Sequence, residues 1–318
     1  MSVDYIDLQF RGSPRVVATA LINGPGGLAL IDPGPTSCLA ALEAGLRDRG
    51  LTLRDVRTLL LTHIHLDHAG ATGTIVERVP GIKVYVHERG APHMIDPEKL
   101  LASVTRLYGD QMDPLWGAFL PVPASQVTAL TGGERLDISG TSLRVADTPG
   151  HAKHHVSYLD ERAGVAYVGD TAGIRITGDY QLAPTPPPDI DIEAWQSSLD
   201  VIEAWQPVSL FLTHFGPITP ARAHLARFRT TLTAQAEAVR TALKAGGSEE
   251  QQIRAFVDRM REDARRGLPD VCRRPSRRDG SWPSVRERRA LQLSPACRAC
   301  RRHRPEETGR PRGLSRRR

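Results

Sequence analysis

The chain is short of cysteine, with four thiols in 318 residues. Cys38 stands alone, and Cys272, Cys297 and Cys300 all fall in the C-terminal tail. Four thiols so placed cannot form a disulfide framework, so they read as free thiols in a reducing compartment. Apolar runs are also short. None approaches the roughly 18 residues that a membrane-crossing helix needs. The opening "MSVDYIDLQF" has neither the basic n-region nor the apolar core of a signal peptide, so a cytoplasmic location is expected. Positive charge is missing from most of the chain. The net charge is +6, yet residues 268–318 hold 16 Arg against 5 acidic residues, while residues 1–267 hold 26 Lys+Arg against 31 Asp+Glu. The body is mildly acidic, and the overall sign is no argument that it grips nucleic acid.

What is present is a succession of short apolar strands and turns. An apolar content of 40% supports a real core, in one large domain or two smaller ones. Residues 15–22 and 28–32 read as a hairpin around "NGPGG". Residues 36–50 read as a helix, with Thr36 as cap, Leu39, Leu42 and Leu46 on one face and Gly50 as stop. "RTLLLT" (57–62) is nearly all apolar, as in a strand covered on both faces. A short helix is expected from about Ala69. Further strands are expected at 83–87, 142–147, 155–160, 164–170 and 208–213, and a helix at 191–205. Residues 90–133 interrupt this scheme with a helix at 97–109 and "MDPLWGAFLPVP", and read as an insertion over one end of the sheet. Two amphipathic helices follow over 219–266. The first starts at Thr219 and Pro220 and carries Leu225, Phe228, Leu232, Val239 and Leu243. The second has a Ser248/Gln251 capping box before Ile253, Phe256, Val257 and Met260. Both are expected to pack on residues 1–218. Residues 267–318 lose all apolar periodicity and are expected to be disordered. Within them Cys297, Cys300 and His303 have part of a zinc-site spacing without a good fourth ligand. A basic arm for nucleic acid and a shifted reading frame of a GC-rich gene are the other readings of this tail.

The informative stretch is "LTHIHLDHAG" (61–70). Residues two apart in an extended segment point the same way, so His63 and His65 can converge on one ion. A turn after Leu66 would aim Asp67 and His68 at a second point nearby. Such a pattern arises by chance in about one chain of this composition in a thousand. An apolar strand should not end in this many polar groups unless something satisfies them. Three other strand ends repeat the grammar. His151 follows "DTPG", Asp170 follows "YVG" and His214 follows "FLT". The seven residues suffice for two four- or five-coordinate metals.

"THIHLDHAG", "TPGH", "GDT" and "THFGP", in this order within residues 15–218, resemble the metallo-β-lactamase superfamily, and within it the glyoxalase II-like metallohydrolases. The resemblance implies an α/β fold: an αββα sandwich of two mixed β-sheets with outer helices and the site at one edge. Residues 1–218 would form that hydrolase domain, with 90–133 as pocket or lid. His63, His65 and His151 would hold a first metal, Asp67, His68 and His214 a second, and Asp170 would bridge them. Asp32 in "LALIDPG" would orient the metal-bearing loop; a turn-forming Asp before Pro-Gly is the equal alternative.

Two divalent ions, zinc foremost with iron or manganese as alternatives, would lower the pKa of a bridging water, and the hydroxide would attack an acyl carbonyl. A thioester suits this chemistry, because a thiol of pKa about 8.5 departs without a strong acid. A lactone would want a proton donor, for which Asp67 is nearest. A small-molecule substrate is expected, with no membrane partner. Tyr108, Met112, Trp116 and Phe119 offer an apolar pocket wall, and His154 and His155 follow the ligand His151. His154 stands where similar sequences have glycine. The C-terminal helices lack obvious basic residues for glutathione, so glutathione thioesters are not singled out. Competing readings are a mononuclear iron persulfide dioxygenase, a tRNase Z-like phosphodiesterase and a non-catalytic protein working through its basic tail.

Overall fold

Twelve short runs pair into two sheets of six strands in the computed structural model, which describes residues 3–175, 180–186 and 188–267. The first sheet runs in the order β1 (Asp4–Asp7), β2 (Ala18–Gly24), β3 (Gly27–Ile31), β4 (Val56–Leu60), β5 (Lys83–His87), β6 (Val127–Leu130). It is antiparallel from β1 to β3 and parallel from β3 to β6. The second holds β7 (Arg135–Ile138), β8 (Thr141–Asp147), β9 (Val156–Asp160), β10 (Val165–Tyr167), β11 (Ser209–Leu212) and β12 (Gly216–Ile218), neighbours in chain order. Only its β10–β11 pair is parallel. Both sheets are therefore mixed. The helices are α1 (Leu39–Arg47), α2 (Leu66–Ala69), α3 (Thr72–Arg78), α4 (Ala91–Ile95), α5 (Glu98–Tyr108), α6 (Met112–Trp116), α7 (Ile192–Ala204), α8 (Ala221–Lys244) and α9 (Glu249–Gly267).

The layers follow from which side chains each strand sends each way. In β3, Ala29 and Ile31 join a core shared with Tyr158 of β9, Val165 and Tyr167 of β10 and Phe211 of β11. Leu28 and Leu30 face the opposite way, into a core with Leu42 and Leu46 of α1 and Ile75 of α3. In the second sheet Ala166, Leu210 and Leu212 point outward, onto Trp195 and Leu199 of α7 and Leu225 and Phe228 of α8. Period-2 alternation thus gives three cores and an αββα sandwich. Each Leu or Phe fully buried this way contributes about 1.5–3 kcal/mol.

Several boundaries differ from the sequence expectation. Thr36 does not cap α1; a 3₁₀ turn spans residues 36–38, and the Thr36 hydroxyl donates to the Gly70 carbonyl at 3.1 Å. The helix after β4 starts at Leu66, not Ala69. Residues 127–130, assigned to the insertion, instead form β6 and pair with β5. The apolar stripe of α8 is buried only through Leu232; Val239 and Leu243 are 41% and 59% exposed. Between residues 249 and 266 of α9 no residue is buried, and Ile253 is 55% exposed. Among the described residues no helix is long and apolar enough to cross a membrane. Cys272, Cys297, Cys300 and His303 lie outside the described residues, as does the expectation for the tail beyond residue 267.

Candidate metal centre

Strand ends of both sheets meet at one edge of the sandwich. Beyond β4, His63 and His65 are two residues apart in extended backbone, and His63 Nε2 lies 2.9 Å from His65 Nδ1. His65 keeps φ −60° and ψ 151°, and α2 begins at the next residue. That turn carries Asp67 and His68 to a different point, as the spacing predicts. The second sheet supplies His151 after β8, Asp170 after β10 and His214 after β11. Gly169 permits the approach of the two halves. Its φ is +46°, and a Cβ there would collide with the side chains of Thr62 and His155.

Among the described residues three overlapping groups of ligand atoms result, the atoms of each within 4.8 Å of one another. Two are His63, His65 and His151, and Asp67, His68 and His214; the third, His63, His68 and Asp170, joins them. Asp170 sits between the first two. Its Oδ2 is 3.4 Å from His151 Nε2, while its Oδ1 is 3.4 Å from His68 Nε2 and 3.7 Å from His214 Nε2. Asp67 Oδ2 lies 3.1 Å from His214 Nε2.

The far nitrogens of these rings are held by the chain. His151 Nδ1 donates to the Pro184 carbonyl at 2.9 Å and His214 Nδ1 to the Val16 carbonyl at 2.6 Å. His68 Nδ1 donates to Asp32 Oδ2 at 2.8 Å. The Thr62 hydroxyl gives its single proton to Asp32 at 2.7 Å, so it accepts from His63 Nδ1 at 3.1 Å. Each of these four rings is thus held by its Nδ1 and turns Nε2 toward the centre, the nitrogen a metal would take. Asp32 is buried and also accepts from the Thr62 backbone N–H and the Thr213 hydroxyl, both at 2.8 Å. One carboxylate thus joins the ends of β3, β4 and β11 to a ring in the centre. Asp32 accordingly has the orienting geometry, beyond that of a turn former.

Burial and neighbouring imidazoles hold His63 and His65 well below the ordinary imidazole pKa, and burial lowers His151 as well. They stay neutral, as metal ligation requires. Burial alone would lower His68 and His214, but the nearby carboxylates together outweigh it and raise both: Asp170, Asp32 and Asp67 around His68, and Asp170 and Asp67 beside His214. Burial pushes Asp67 and Asp170 up, yet the nearby imidazoles, His68 first, hold both carboxyls below the usual range. The second group is therefore an anionic pocket between basic rings. His68 Nε2 and Asp170 Oδ1 are buried without a hydrogen-bond partner. Such orphans are rare in folded proteins, and a cation between them would satisfy both. The nitrogen and oxygen donors, their convergence and the orphaned atoms all fit divalent metal.

A cavity of about 530 Å³ opens over His65, Asp67, His151, Asp170 and His214. Of the pocket residues expected from sequence, Tyr108, Trp116 and His154 line it. Burial pushes the His154 imidazole down to about 4. Three others do not line it. Phe119 is buried in the first sheet's outer core, where the chain returns from α6, and Met112 packs against the same core. His155 lies behind His63, with ring centroids 5.0 Å apart, and bonds Thr148 at 2.9 Å and the Asp170 backbone N–H at 3.3 Å. It braces ligands from the core side. Thr62 and Thr213 were missed from sequence. The signal was available, since the same Leu-Thr-His triplet precedes the centre at 61–63 and 212–214.

Comparison with known proteins agrees with this geometry. A family model described as the metallo-beta-lactamase superfamily matches residues 12–214. A metallo-beta-lactamase fold-containing protein of Sulfurisphaera tokodaii is 27% identical over 210 residues, 65% of this chain and 76% of that one. The crystal structure of a metallo-beta-lactamase family protein from Thermus thermophilus matches with TM-score 0.56 at 27% identity, covering 78% of this chain and 89% of that one. A hydroxyacylglutathione hydrolase of Legionella pneumophila is 26% identical over 161 residues, 50% of this chain and only 48% of that enzyme.

Proposed function

This chain belongs to the metallo-β-lactamase superfamily, and from that premise we propose that it is a binuclear-metal hydrolase of small acyl compounds, thioesters first and lactones second. The observation that carries the reading is Asp170, with one carboxylate oxygen toward each of two groups of buried ligand atoms. His63, His65 and His151 would hold one divalent ion, Asp67, His68 and His214 the other, and Asp170 would serve both. Imidazole-rich sets with carboxylate suit zinc, with iron and manganese as the alternatives. When bound, the ions lower the pKa of water toward neutrality and neutralise charge developing on a carbonyl oxygen.

The rest is the work of the chain's own side chains. Asp32, Thr62 and Thr213 fix the strand ends, and the carbonyls of Val16 and Pro184 fix ring tautomers. Asp67 binds His214 through Oδ2 and lines the cavity; its other oxygen would take the proton of the attacking water and pass it to a departing alkoxide. A thiolate leaves without that help, which is why thioesters come first. The relative named hydroxyacylglutathione hydrolase supports a thioester, though this chain matches only about half of it.

The test is metal quantification on the purified full chain, with a panel of thioesters, lactones, β-lactams and bis-p-nitrophenyl phosphate. Thioester or lactone turnover that disappears in His63→Ala is expected. Metal-replete, folded protein inert on every thioester and lactone would refute the reaction class. One iron per chain with oxygen uptake on glutathione persulfide would replace it with the dioxygenase reading.

A further inference from the structure

We infer that the substrate of this centre carries an apolar acyl chain, seated along the cavity-facing side of α5. The inference rests on the acyl-hydrolase reading and names the part of the substrate that the cavity selects.

The first observation is α5 itself. It has eleven residues and buries none of them. Yet Leu100, Val104, Leu107 and Tyr108 recur at the spacing of one helix face, and all four line the cavity. Leu107 is 55% exposed. Leu100 and Val104 are half-buried and pack in part against the first sheet's outer core; the part of the stripe that lines the cavity has a ligand as its natural cover. The second observation is another stretch of the cavity wall, made of Ile174, Pro184, Pro186 and Pro188. Proline side chains offer no hydrogen bonds, and the proline backbone has no N–H. Both walls are therefore apolar.

The third observation is charge. Among the described residues Lys99 is the single Lys or Arg lining the cavity, and it is exposed. Asp189 is occupied by Lys153 at 3.4 Å. Little here could compensate a charged thiol or alcohol carrier for lost water. The carrier half of an ester or thioester belongs at the open mouth, and the acyl half is the part that these walls can desolvate favourably. Tyr108 closes the C-terminal end of this stripe and lines the cavity together with Asp67 and His214. From Tyr108 back to Leu100 the helix rises about 12 Å. An extended alkyl chain advances about 1.25 Å per carbon, so about ten carbons span that length.

The test is calorimetric titration of the metal-replete full chain with straight-chain carboxylates from butanoate to dodecanoate, alongside kcat/KM for the matching acyl thioesters. Affinity should rise about fourfold per methylene up to about decanoate and then level off. A Val104→Ser/Leu107→Ser variant, checked for metal content and melting, should flatten the slope. Val104→Phe should move the break to a shorter chain. Affinity independent of chain length overturns the inference, and so does a slope unchanged in both variants. Short thioesters hydrolysed with a flat slope would overturn the acyl seat and spare the hydrolase reading. A steep slope in binding with no hydrolysis at any length would do the reverse.

Discussion

Four hydrogen bonds converge on Asp32, a residue with no chemistry of its own in the proposed reaction. Its carboxylate accepts from Thr62 twice, from Thr213 and from His68. Asparagine would keep the shape but present a donor where an acceptor is needed. Asp32→Asn should weaken metal affinity about 10–100-fold, read by competition with a chromogenic chelator; unchanged affinity would mean that Asp32 is only a turn former. The histidines give a second prediction. In the metal-free protein His63, His65, His151, His154 and His155 all titrate below the ordinary imidazole value, chiefly through burial. The unfolded chain therefore binds more protons than the folded one once pH falls below about 6.5, and the stability these rings provide is lost from there downward. For His154 the window closes at about 4. His68 and His214 are raised, so their contribution persists at low pH and is lost as pH rises through the raised values. With His87, which burial also lowers, six rings oppose two, and chelator-treated protein should melt at a lower temperature at pH 5 than at pH 7. A higher melting temperature at pH 5 would contradict these assignments.

Elements were legible where burial imposes a pattern. The interior strands β2, β3, β4, β5, β9, β10 and β11 coincide with largely apolar runs, and β8 with the alternation of buried Leu143 and Val145. The strands not foreseen, β1, β6, β7 and β12, are the edge strands of the two sheets. Each has three or four residues and leaves part of itself exposed, as in β6, where only Leu130 is buried. Without two covered faces there is no apolar run to read, so residues 127–130 looked like part of an insertion. The ligands were legible for the opposite reason, because polar side chains at the end of a buried strand need a partner. Their supports were not, since a threonine in a strand is unremarkable until its hydroxyl direction is known. Trp195 of α7 shows how an element reaches the centre. It is fully buried, its indole N–H donates to the Thr171 carbonyl at 2.7 Å, and its ring meets His151 at 5.5 Å. Trp195→Ala should cost about 3–5 kcal/mol in chemical denaturation and lower metal content. A loss below about 1 kcal/mol would mean that α7 does not brace the site.

At the scale of the whole molecule, neither sheet holds a complete centre. His63, His65, Asp67 and His68 follow the first sheet's β4, whereas His151, Asp170 and His214 come from the second. Metal affinity would then be coupled to the packing of one sheet on the other, and free energy of binding would appear as free energy of folding. At a free metal concentration a thousand times the dissociation constant, one ion adds about 4 kcal/mol of stability. The central claim is two ions held across that seam with Asp170 between them. The most direct test is the metal stoichiometry of the purified full chain by mass spectrometry of its elements, wild type beside Asp170→Ala. Two divalent ions per chain in the wild type, falling to one or fewer in the variant, is the predicted result. One ion or none in the wild type, or two retained without Asp170, would contradict the account.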